Sequence, residues 1–142
     1  MKKLTTRFMI ATAALVFAAG AASAQTMKVE IPFEFRAGHQ VMAPGTYQVD
    51  KLDIGSSTKI FRLSDVHLRR SIVVLPQAQV DPPTRWAEGN GKLVFECVSG
   101  RCALAQLWSG SGSYGYTISR PKLGKNEDAS LKVIPMQRDK GE

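Results

Sequence analysis

The stretch "MKVEIPFEFR", residues 27–36, alternates strictly: Val29, Ile31, Phe33 and Phe35 fall on one side, and Glu30, Glu34 and Arg36 on the other. A period of two over this length fits a β-strand with one face in a core, because on a helix the same residues would scatter around the axis. Outside the first 24 residues no apolar stripe at helical spacing lasts for three turns. Short apolar runs recur instead. "TKIFRLSD" (58–65) sets Lys59, Phe61 and Leu63 opposite Ile60 and Arg62, and "RRSIVVLPQAQV" (69–80) holds a continuous run from Ile72 to Leu75 that reads as a strand covered on both faces. Between the runs lie Gly and Pro punctuators: Pro32, which suits an edge strand or a bulge, Pro44-Gly45, which suits the centre of a type II turn, and "DPPTRWAEGNG" (81–91), which excludes a helix. The expected fold is all-β, a single small antiparallel β-sandwich or barrel of about six or seven strands.

The N-terminus is read differently. Lys2, Lys3 and Arg7 precede an apolar run from Phe8 to Ala22, and Ala22-Ser23-Ala24 supplies small residues where a signal peptidase cuts. The run is Ala-rich, is broken by Gly20 and falls short of the roughly 20 residues that span a bilayer as a helix. Residues 1–24 are therefore expected to be a cleaved signal peptide, leaving a mature chain from Gln25 with no transmembrane helix, exported to the periplasm or the extracellular space. No cysteine follows the cleavage point to take a lipid. Three of the 19 Lys and Arg lie in the signal and all 12 acids lie beyond it, so the mature chain carries a net charge of +4. That excess is scattered among acids, which argues against a nucleic-acid partner and leaves a weak attraction to anionic envelope surfaces open. The mature 118 residues suffice for one domain, 25–142, in which 122–142 reads as a peripheral extension or, through "SLKVIPM" (130–136), as a closing strand.

The segment "IPFEFRAGHQVMAPGTY" (31–47), with "GKLVFE" (91–96) and "AQLW" (105–108) downstream, resembles a group of small exported bacterial proteins of uncharacterised function built on a pattern like IPF.F..G...L.AG.Y. The chain departs from it at Met42, where the pattern has Leu, and at Pro44 before the turn glycine. The resemblance implies a small exported all-β domain and brings no activity, cofactor or site residues with it.

Chemistry-bearing residues are few. Cys97 and Cys102, in "FECVSGRC", are the only cysteines. A two-residue turn at Ser99-Gly100 sets them opposite each other as a non-hydrogen-bonded pair with Cα atoms about 4.5 Å apart, within disulfide reach; a four-residue loop closed by the same cysteines also fits. An oxidising compartment favours the bond, and four intervening residues without a helix disfavour a redox motif. His39 and His67 lie at no ligand spacing from each other or from the cysteines, so no metal site is expected. "GSGSYG" (110–115) has the spacing of a dinucleotide-binding loop, but "YTISRP" follows where the motif needs a helix, and no cofactor is expected. Glu30 and Glu34 share a solvated face with Arg36 rather than forming a catalytic pair.

Loop aromatics remain. Arg85 and Trp86 lie in the long Pro/Gly connection, and Tyr114 and Tyr116 in the glycine-rich stretch after Trp108, a set suited to stacking on a glycan or closing on an apolar ligand. The alternative places Trp108 in the core, with Trp86 pinning its loop to the body. The sequence thus reads as a non-enzymatic structural or protein-interaction component of the cell envelope or secretome, meeting another protein or itself, with a ligand-binding module as the second reading.

Overall fold

The computed structural model describes residues 26–54, 58–86, 88–119 and 128–138. Residues 1–24, expected to be a signal peptide, lie outside them. Twelve strand segments form two sheets: β1 (Met27–Ile31), β2 (Phe35–Ala37), β3 (Gln40–Met42), β4 (Gly45–Ile54), β5 (Thr58–Asp65), β6 (Ser71–Val74), β7 (Pro76–Val80), β8 (Asn90–Val98), β9 (Arg101–Gly110), β10 (Gly115–Ile118), β11 (Ser130–Pro135) and β12 (Gln137–Arg138). One sheet has the order β12-β1-β4-β5-β6. The other runs β11-β8-β9-β10-β7, with the β2–β3 hairpin added through a parallel β2–β9 pairing. The all-β sandwich is as expected. The segments outnumber the anticipated six or seven because the runs 69–80 and 130–138 each break into a pair of strands, and because 27–36, expected as one strand, divides at Pro32 into β1 and β2 in different sheets, β2 forming an extra hairpin with β3.

Those breaks make the architecture. β6 and β7 are one run that changes sheets at Leu75, and β11 and β12 are another that changes sheets at Met136. The two sheets are thereby stitched along both sides into a flattened ring, a sandwich whose corners are strands that switch sheets. Residues 130–138 are accordingly integral rather than peripheral: β11 pairs with β8 from Ser130↔Cys97 to Pro135↔Lys92, and β12 pairs with β1 at Met27↔Arg138. At the second corner the Met136 amide donates to the Gly91 carbonyl at 2.8 Å, and the Met136 side chain is fully buried.

The core lies between the sheets. Phe35 sits at its centre, edge-on to Tyr47 of one sheet and Phe95 of the other, each with ring centroids 5.3 Å away. Phe33 packs edge-on to Phe95 at 5.1 Å, and the Lys132 ammonium lies over its ring. Pro32 stands just past the end of β1. Gly45 is the first residue of β4 rather than the left-handed centre of a type II turn, and the Tyr47 hydroxyl bonds back across it to the Ala43 carbonyl. β6 also departs from expectation: Ile72 and Val74 are buried, while Val73 and Leu75 are exposed, because no further layer covers this end strand.

The β8–β9 hairpin matches its expected register. Cys97 pairs with Cys102 and Val98 with Arg101, and the cysteines form a disulfide with Cα atoms 4.0 Å apart. Ser99 and Gly100 both have positive φ, 49° and 77°, as a two-residue turn with the twist of its strands requires. Farther along, the register shifts between Val94 and Phe95, leaving Ala105 as an extra residue on β9. This bulge puts Leu104 and Leu107, three apart, on the same inner face. It also sends Trp108 to the outer face.

A Cβ at Gly91 would lie 2.5 Å from the Trp108 carbonyl and 2.8 Å from Met136 Cε, so Gly91→Ala is expected to cost about 2–3 kcal/mol in a urea titration, by forcing the corner apart. Ser99→Asn replaces a residue that tolerates left-handed backbone poorly with one suited to it. It should raise the thermal midpoint by roughly 2–5 °C, read by circular dichroism.

Candidate functional site

The Pro82-Pro83 pair stiffens the chain leaving β7, and a single 3₁₀ turn at Thr84–Trp86 follows, closed by the Trp86 amide on the Pro83 carbonyl at 2.8 Å. This turn lays the Trp86 indole on that of Trp108, stacked with centroids 6.0 Å apart and planes 24° from parallel. Trp108 Nε1 donates to the Ser113 carbonyl at 3.0 Å, which ties the β9–β10 turn to the same cluster. Lys92, directly opposite Trp108 in the β8–β9 ladder, holds its ammonium 5.4 Å from the Trp108 ring and 5.9 Å from Trp86, and the Arg85 guanidinium lies 5.9 Å from Trp86. Both cations face the electron-rich surfaces of the indoles. The cluster is a half-buried aromatic platform with positive charge at its rim.

Of the residues singled out in the sequence, Arg85 and Trp86 are together here. Tyr114 is exposed in the adjoining turn and makes no ring contact with either Trp among the described residues. Tyr116 is a correction: it belongs to β10, is 4% exposed and packs against Phe61 with centroids 5.2 Å apart. Strand alternation after the Gly115 break turns its ring inward. Trp108 is buried, yet through the bulge it is buried on the outside of its sheet, beneath Trp86. Lys92 was missed, and only the cross-strand register could have found it.

A second concavity, of about 540 Å³, opens where β11 and β12 leave one sheet for the other. Val29, Glu30, Pro32, Thr46, Ile134 and Gln137 line it, with Lys28 beside Glu30. It exists because β12 is two residues long and pairs only with Met27 and Lys28, so Val29–Ile31 lack a ladder partner on that side among the described residues. No sequence signal marked it.

The "GSGSYG" stretch is the β9–β10 turn, and the chain continues from Gly115 as strand. His39 sits in the β2–β3 turn and His67 between β5 and β6; among the described residues no three His, Cys, Asp or Glu side chains are grouped to hold a metal. Among the described residues two carboxylates are buried, Asp50 and Asp65. Burial alone would raise the pKa of Asp50, but bonds from Gln48 (3.2 Å), Arg62 (3.0 Å) and Thr26 (3.0 Å) outweigh it and hold the group below its ordinary 3.8. Asp65 is also lowered, chiefly by the Leu68 amide, against the cost of burial and with the His67 amide helping; these donors lie 3.0 and 2.8 Å from Oδ1. Both groups are ionised anchors of local structure.

No family model, curated protein or solved structure matches the chain.

The two acids set a pH dependence. A carboxyl whose folded pKa lies below its unfolded value contributes stability that is full above the unfolded value and declines as pH falls through the folded one. Urea unfolding should therefore show a loss of stability below about pH 4, and Asp50→Asn and Asp65→Asn should each flatten that loss. Each should also lower stability at pH 7, by about 1–3 kcal/mol for bonds to a charged acceptor.

Proposed function

We propose that the chain is an exported, non-enzymatic interaction component of the cell envelope or secretome, and that its working surface is the outside of the β4-β5-β6 sheet. The observation that carries this reading is a row of aliphatic side chains there. Leu52 and Ile60 are directly opposite in register, Leu75 continues the row one residue past the Phe61↔Val74 pair, and Val73, Leu75 and Ile54 are exposed. Exposed Val73, Leu75 and Ile54 around the partly exposed Leu52 and the buried Ile60, on a rigid sheet at its end strand, mark a surface for protein contact. The partner is another envelope or extracellular protein, or a second copy.

Export rests on residues 1–24, with processing to Gln25 and delivery to the periplasm or beyond. A disulfide between the only two cysteines is compatible with that destination. The second reading, a module that binds a glycan or an apolar ligand, is favoured by the half-buried Trp86 with Arg85 and Lys92 around it.

The test pairs two measurements. Val73→Lys with Leu75→Lys should leave the circular dichroism spectrum unchanged and abolish a cross-linked adduct or a concentration-dependent shift in sedimentation. If association and cross-linking persist in that variant, this face is not the working surface. Quenching of tryptophan fluorescence by a glycan or lipid, lost in Trp86→Ala, would instead select the second reading.

A further inference from the structure

The loop between β5 and β6 presents five consecutive exposed residues, Val66, His67, Leu68, Arg69 and Arg70. It is held rigidly for so short and exposed a segment. Asp65 Oδ1 accepts from the His67 and Leu68 amides, the Asp65 amide donates to the Arg70 carbonyl at 2.7 Å, and the Arg69 amide donates to the Asp65 carbonyl at 3.2 Å. The Val66 amide bonds the Thr46 carbonyl at 3.0 Å, which fixes the loop to β4. Arg69 has a φ of 53°, a backbone state that a bulky residue adopts only where its surroundings impose it. In this fixed frame Val66 is 44% and Leu68 56% exposed, and the exposed His67, Arg69 and Arg70 share the same five residues.

We propose that the Val66–Arg70 loop seats the protein on the surface of an anionic phospholipid bilayer. Aliphatic side chains alone would suit a protein partner, and cations alone any polyanion. Aliphatics framed by arginines on one rigid tip match a surface that offers anionic headgroups above hydrocarbon. The adjoining acid, Asp65, is buried with Oδ1 accepting from the loop's own amides, so its charge lies beneath the loop and not at the loop's exposed surface. Two aliphatic side chains give a shallow insertion, so the attachment is reversible and weakens with salt. This contact is separate from the sheet face proposed above, and either can fail without the other.

The test is co-sedimentation with phosphatidylglycerol vesicles, and with phosphatidylcholine vesicles as the neutral control. Wild type and variants are all expressed from the full sequence and recovered in the same processed form, so anything the N-terminal segment adds is common to every sample. Substitutions in the loop leave its backbone bonds in place, and circular dichroism checks this. Arg69→Gln and Arg70→Gln should each weaken binding to the anionic vesicles about fivefold, the effect of one basic residue at such a surface. Leu68→Asp should abolish binding, and Leu131→Asp, an exposed apolar site on the other sheet, should leave it unchanged. The proposal is overturned if wild type does not bind anionic vesicles, or if Leu68→Asp binds them as well as wild type.

Discussion

The close approach of Met136 to Gly91 is the constraint on which the rest of the molecule depends. β11 and β12 leave one sheet and enter the other within a single residue, and the space a Cβ on Gly91 would need is taken by the Trp108 carbonyl and by the side-chain ends of Met136 and Met27. The amide of Met136 finds its acceptor there, and the thioethers of Met27 and Met136 fill the space a larger residue would need. Opposite, the bend at Leu75-Pro76 performs the same change of sheet. With both sides closed, few strand edges among the described residues are left to pair with other chains, and the exposed surface consists of sheet faces and loop ends.

The bulge at Ala105 has a comparable reach. An uninterrupted β9 would point Cys102, Leu104, Gln106 and Trp108 to one side, burying an amide and leaving Leu107 in solvent. One extra residue restores Leu107 to the core and moves Trp108 outside, where an indole needs cover. Trp86 and the stem of Lys92 provide it. The aromatic platform is thus the structural answer to a core-packing problem, and its availability to a ligand depends on whether Trp86 leaves Trp108.

How much of this is legible in the sequence follows from how local each cause is. The alternation of residues 58–65 is enough for β5, whereas that of residues 27–36 reads as one strand and does not show the break after Ile31 that sends β1 and β2 to different sheets. The register around Ser99-Gly100 is legible too, since turn chemistry and two cysteines fix it within six residues. Tyr116 was not, because its facing depends on where β10 starts after a glycine-rich turn. Val73 and Leu75 looked like the interior of a covered strand, and only the strand order shows that β6 ends its sheet. The corner at Met136 depends on a glycine 45 positions away, beyond any local pattern.

The three surfaces have a fixed relation to one another. The Val66–Arg70 loop precedes Ser71 and the Trp86 turn follows Val80, so they stand at opposite ends of one continuous run, β6 with β7. Ten residues of strand span at most about 33 Å. A molecule seated on a bilayer by the loop would therefore carry the tryptophan platform up to that far above the headgroups, with the Val73 and Leu75 face standing to the side between them. Asp65 links these roles, because the carboxylate that shapes the loop also sits where β5 meets the Tyr47 end of β4. The hydrogen bonds that hold the tip are then continuous with the ladder of the core sheet.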